Sequence, residues 1–169
     1  VSGTVPSSLD YRVALTDPLP DCSDPISNVL YIVVNPDATA TISPAANPVC
    51  IGGSAPLTAT VTAGSSGLVL QWQQSTTGTA GSWSNISGQT GLVYNPPTSS
   101  TGTMYYRVIF TDPLPGCFSG PSNTATVTVS PDITVITQPT GLTECAGGTL
   151  TMSVAVTGGS GAISYQWQV

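Results

Sequence analysis

The chain has 169 residues, 40% hydrophobic and 6% charged, with two Arg, no Lys, no His and a formal net charge of −6. That balance removes the electrostatic attraction that a nucleic acid or an anionic membrane would exert. With a single Glu (Glu144) and scattered Asp, general acid–base catalysis lacks its usual residues, and no enzyme activity or cofactor is expected. No apolar run approaches the ~18 residues that span a bilayer, and the start lacks the basic-then-apolar pattern of a signal peptide. The hydrophobic content is too high for a disordered chain. Gly and Pro punctuate short runs rich in Val, Thr, Ile and Tyr, the composition of an all-β protein.

Taken in chain order, the sequence repeats. Residues 1–74 fall on 96–169 at a constant offset of 95, with 26 of 74 positions identical and no gap. Tyr11-Arg12-Val13 falls on Tyr106-Arg107-Val108, Thr16 to Pro20 on Thr111 to Pro115, and Cys22 on Cys117. Ser27-Asn28 then meets Ser122-Asn123, Pro36-Asp37 meets Pro131-Asp132, Cys50 meets Cys145, Gly52-Gly53 meets Gly147-Gly148, and Gln71-Trp72-Gln73 meets Gln166-Trp167-Gln168. The expected organisation is the C-terminal part of one repeat in residues 1–36, a complete repeat in 37–131, and the N-terminal part of the next in 132–169. A start on Val1 rather than Met, and a stop at Val169 inside an expected strand, read as a window onto a longer chain.

Within residues 37–131, period-2 alternation bounded by turn residues predicts seven strands, over 38–43, 57–62, 68–73, 82–86, 91–95, 104–111 and 125–129. The second puts Leu57, Ala59 and Val61 on one face, and the third carries Trp72 between two glutamines. Asp10 stands where the following repeat has Tyr105, which argues that this position faces solvent and that Tyr106, Val108 and Phe110 face inward.

These residues resemble the immunoglobulin superfamily. Trp72 and Trp167 look like its buried third-strand tryptophan, and Leu92, Tyr94, Gly102 and Tyr106 resemble the run into its tyrosine corner. Tyr11 is then the core counterpart of Tyr106. The central disulfide of antibody domains has no counterpart, because no Cys lies within the second or sixth predicted strand. The finer pattern of Pro36, Cys50, Gly52-Gly53, Trp72, Tyr105 to Val108, Cys117 and Ala125 to Val129 is similar to the Ig-like repeats of giant type IX-secreted surface proteins of gliding bacteria, including the SprB-type mobile adhesin. That resemblance implies a long cell-surface filament of chained domains and carries over no catalytic or binding residue.

Each repeat carries two of the cysteines Cys22, Cys50, Cys117 and Cys145, and an even set in a secreted setting reads as disulfides. In an immunoglobulin topology, Cys50 sits where the chain leaves the domain and Cys117 where it enters. A strand of about eight residues, at ~3.3 Å each, holds those poles about 25 Å apart, whereas a disulfide tolerates about 7 Å between Cα atoms. Pairing of Cys50 with the counterpart of Cys117 in the following repeat is therefore favoured. A bridge within one repeat, made by a loop that folds back, and free or metal-bound thiols stay open.

Other candidates have plainer readings beside them. Arg12 and Arg107, next to Gln71 and Gln73, could hold a sugar or carboxylate by a guanidinium fork, but a cross-strand polar pair on a wet sheet face is expected. Trp83 could stack on a glycan, although a Trp covering a sheet edge is the commoner use. Asp17, Asp21 and Asp24 could bind calcium, yet in the next repeat only Asp112 remains, with Gly116 and Ser119 replacing the others. Asp37 and Asp132 read as turn caps, zinc would need ligands beyond the cysteines, and Gly52-Gly53 and Gly147-Gly148 lack the helix of a phosphate loop. The expected function is a stiff structural segment of an extracellular, outer-membrane-attached adhesin filament. Its partners would be neighbouring repeats, with surface polysaccharide or other surface proteins beyond them. Accessory carbohydrate-binding modules of a secreted enzyme, or a phage or secreted assembly, are the alternatives.

Overall fold

The computed structural model describes residues 7–19, 21, 23 and 25–169; Cys22 and Asp24 lie outside them. Thirteen strands and no helix are found among the described residues: β1 (Ser7–Tyr11), β2 (Leu30–Val34), β3 (Thr39–Ser43), β4 (Ala46–Cys50), β5 (Leu57–Thr62), β6 (Val69–Ser75), β7 (Ser84–Asn85), β8 (Val93–Tyr94), β9 (Gly102–Thr111), β10 (Gly120–Pro121), β11 (Ala125–Ser130), β12 (Thr134–Thr137) and β13 (Ala155–Thr157).

The central strands make an immunoglobulin-like sandwich. One sheet has the order β3-β5-β8, and the other β4-β11-β9-β6-β7 with β10 also on β9. Alternation decides what lies between them. Leu70 and Trp72 of β6, Tyr106, Val108 and Phe110 of β9, and Ala125, Val127 and Val129 of β11 point inward against Ala40, Ile42, Leu57 and Ala59 of the facing sheet. Trp72 and Val108 are fully buried, and burying side chains of this size contributes roughly 1.5–3 kcal/mol each. Thr and Gln take many of the outer positions, among them Thr58, Thr60, Gln71, Gln73, Thr126 and Thr128.

The strand that opens this unit changes sheets partway. β3 pairs antiparallel with β5, Thr39 opposite Thr62. Pro44 follows and has no N–H to continue that ladder. The chain then crosses to lie parallel with β11, Ala46 opposite Thr126 and Cys50 opposite Ser130. Asn123 fixes the crossing, since its Oδ1 accepts from Ile42 N at 2.6 Å and its Nδ2 donates to Ile42 O at 3.1 Å. β4 is absent from the sequence expectation because Asn47 and Pro48 break its strand pattern. At the sheet edge a proline is tolerated.

The same pairings recur at an offset of 95. Tyr11 faces Leu30 as Tyr106 faces Ala125, and Thr134 faces Thr157 as Thr39 faces Thr62. Beyond these pairings, the flanking segments depart from expectation. Tyr11 and Trp167, expected as core markers, are 37% and 47% exposed. Among the described residues, β1 and β2 form a two-stranded sheet with no second sheet packed over it. Residues 165–169 lie in no strand.

Candidate functional site: the poles and junctions of the sandwich

The upstream pole, where the chain enters the sandwich, is organised by two aspartates. Asp37 Oδ1 accepts from Phe118 N at 3.0 Å, tying the linker to the turn that follows β9. Asp112 is buried, and its carboxylate accepts from Ser65 N at 2.9 Å, from the Ser65 hydroxyl and from Leu114 N at 3.0 Å. The Ser65 hydroxyl, then the Ser65 and Leu114 amides, hold its pKa below the usual carboxylate value against the opposing effect of burial. Gly64 N donates to Pro36 O at 3.1 Å, and Gly159 N to Pro131 O at 2.7 Å, so both linkers are tied by the same bond. Gly64 has φ +84°, and a Cβ there would lie 2.7 Å from Leu68 Cδ1 and 2.8 Å from Ala38 Cβ. Only glycine fits that approach.

At the downstream pole, Cys50 ends β4 beside Ser130, and Ile51 N donates to Ser130 O at 3.0 Å. The turn closes through Gly53 N on Cys50 O at 2.9 Å; the turn after Cys145 closes through Gly148 N on Cys145 O at 3.0 Å. These glycines therefore serve a tight turn between strands. A cavity of about 410 Å³ opens near this pole, lined by Gln74, Pro97, Met104, Tyr106, Val127 and Val129 among others. It was not legible in the sequence, since its walls come from strands and a loop far apart in the chain.

Cys50 and Cys117 are half-buried free thiols and Cys145 an exposed one. Burial, then the fields of Asp112 and Asp37, push the Cys117 thiol pKa up. No group of three or more His, Cys, Asp or Glu is placed to hold a metal ion among the described residues. In the first acidic loop, Asp17 Oδ1 accepts from Leu19 N at 2.9 Å, the use of Asp in a local turn.

Arg107 faces Gln73 across β9 and β6; its Nε donates to Gln73 Oε1 at 2.8 Å, and Gln73 Nε2 donates to Asn85 Oδ1 at 2.8 Å. The guanidinium carbon lies 4.3 Å from the centre of the Trp83 ring, a cation–π contact that the sequence did not foretell. Burial lowers the Arg107 pKa. Gln71 takes no part, its amide donating instead to the carbonyls of Trp72 and Ile86, both at 2.8 Å. Arg12 is exposed. Tyr94 lies in the core between Trp72 and Tyr106, with ring centroids 5.5 and 5.6 Å away, and Trp72 Nε1 donates to Gly91 O at 2.8 Å.

No curated protein matches the chain. Solved structures similar to it include the N-terminal four Ig domains of Dscam1 isoform 4.44 and of isoform 7.44, each at 16% identity, with TM-scores of 0.44 and 0.46. They are matched over 62% and 72% of this chain and 25% and 27% of theirs, so the chain spans about a quarter of their length. The model of a domain of unknown function, DUF8696, matches residues 38–131, more than half of the sequence, and the chain belongs to that family.

Proposed function

We propose that the chain is a structural segment of a long extracellular adhesin filament, in which residues 1–36, 37–131 and 132–169 belong to three successive repeats that act as stiff spacers and carry no catalysis. The observation that supports this reading most is the repeated junction. The bond from Gly64 to Pro36 recurs from Gly159 to Pro131, and the strand registers on either side recur with it. A unit whose linker is short and bonded into the next unit adds length without adding a hinge. The resemblance to type IX-secreted repeats supports reading such a filament as attached at the outer-membrane surface of a gliding bacterium, with neighbouring repeats and surface polysaccharide or protein as its partners.

Glycan-binding modules would need an exposed planar aromatic strip. Tyr94 is 9% exposed, and Trp83 is half-buried with Arg107 against its ring, so neither supports that alternative. Antibodies against residues 38–131 are expected to label intact cells along thin surface filaments, and deleting the gene should reduce surface attachment. Labelling that needs permeabilised cells would overturn the reading.

A further inference from the structure

Cys50 and Cys117 sit at opposite poles of one sandwich. β9 runs its length, and ten residues at about 3.4 Å each separate the ends by roughly 30 Å. Near one end Gly102 faces Val129, and the next residue, Ser130, faces Cys50. Beyond the other end lies the turn of Cys117, whose N–H donates to Leu114 O at 3.2 Å. A disulfide takes at most about 7 Å between Cα atoms, so these two thiols do not reach one another within a folded repeat.

The junction shortens the distance. Asp37 binds Phe118 N, the residue after Cys117, so the Cys117 turn rests on the first residue of its repeat. Asp132 is the same position one repeat on, two residues past the Ser130 that faces Cys50. One interstrand spacing of about 4.8 Å and two residues of chain, at most about 7 Å, put Cys50 within about 12 Å of Asp132. A turn of the Cys117 kind resting on Asp132 would stand at the same pole as Cys50, on the near side of the sandwich rather than its full length away.

We infer that Cys50 and Cys117 form disulfides across the junctions: Cys50 with the cysteine 95 residues beyond Cys117 in the following repeat, and Cys117 with the cysteine 95 residues before Cys50 in the preceding one. This rests on the tandem-array reading above. Each bond forms by exchange with an external disulfide oxidant. One thiolate attacks the oxidant, forming a mixed disulfide and releasing the oxidant's other sulfur as a thiolate. The second protein thiolate then attacks the protein sulfur of that mixed disulfide and displaces the oxidant sulfur bound to it. The protein loses two protons and two electrons, and the oxidant leaves as a dithiol. The array becomes covalently linked from unit to unit outside the backbone.

The test is alkylation of the full-length protein without reduction, followed by chymotryptic mapping. Expected is a peptide pair joining Cys50 to the cysteine 95 residues past Cys117, with neither alkylated; Cys50→Ser should expose one new alkylatable thiol at that partner. A Cys50–Cys117 pair, or both residues alkylated in the native protein, would overturn the inference. Electron microscopy of the reduced protein separates this from the array reading. Free thiols on a filament growing by about 35 Å per repeat would overturn the cross-link alone, while a compact particle would overturn both.

Discussion

At the scale of single residues, hydrogen bonding and burial set the titration of the two groups that matter most, Asp112 and Tyr106. Asp112 has its carboxylate between Ser65 and Leu114, which favours the charged form. A carboxylate whose folded pKa is depressed contributes stability that is present above its unfolded value and is lost as pH falls through the folded one. Acid should therefore loosen the upstream pole, and Asp112→Asn should flatten the acid limb of a stability-versus-pH curve while lowering stability at neutral pH. An unchanged acid limb would remove Asp112 from the account. At the alkaline side, burial and then the field of Tyr94 push the Tyr106 pKa up to about 12. The sign is opposite: that contribution is complete below the unfolded value near 10 and is lost as pH rises through about 12. Tyr106→Phe should reduce the pH dependence of urea unfolding in that window.

At the scale of elements, the sheet-switching opening strand depends on one side chain. Asn123 bonds both the N–H and the C=O of Ile42, 81 residues away, and stands at the start of the segment leading into β11. Asn123→Ala leaves two backbone groups of β3 without partners and should cost about 2–3 kcal/mol, read as a lower urea midpoint. A loss below half of that would mean that water replaces the bonds. Trp72→Ala should cost more, about 3–5 kcal/mol, because the cavity cannot collapse between two sheets. The strands with clean alternation, β5, β6, β9 and β11, were legible in the sequence, since one face of each is buried and the period shows. β4 was not, because an edge strand carrying Asn47 and Pro48 has no such period. Trp167 shows a further limit: its motif matches that of Trp72, but burial depends on neighbouring strands as well as on the residue. At the candidate site, the sequence showed the Arg107–Gln73 pairing and the polar separation of the cysteines. It did not show Trp83 beneath Arg107, which requires a loop to fold over a sheet face.

At the scale of the whole molecule, the poverty of cations makes proteolysis a probe of folding. Trypsin has two sites, Arg12 and Arg107. Arg107 lies within β9, hydrogen-bonded between two strands and against Trp83. Cleavage requires an extended, unpaired segment of several residues, so cutting there needs the sandwich to open and tracks the open population. Arg12 follows β1, whose sheet has two strands and no facing layer among the described residues, and it is exposed. The 169-residue chain should thus be cut rapidly after Arg12 and slowly after Arg107, leaving an intermediate that begins at Val13. Trp72→Ala should accelerate the second cut in proportion to its loss of stability, with little effect on the first. Equal rates at both sites in the unmutated chain would mean that the central sandwich opens as readily as the two-stranded segment before it, against the difference in burial between Tyr106 at 1% and Tyr11 at 37% exposure.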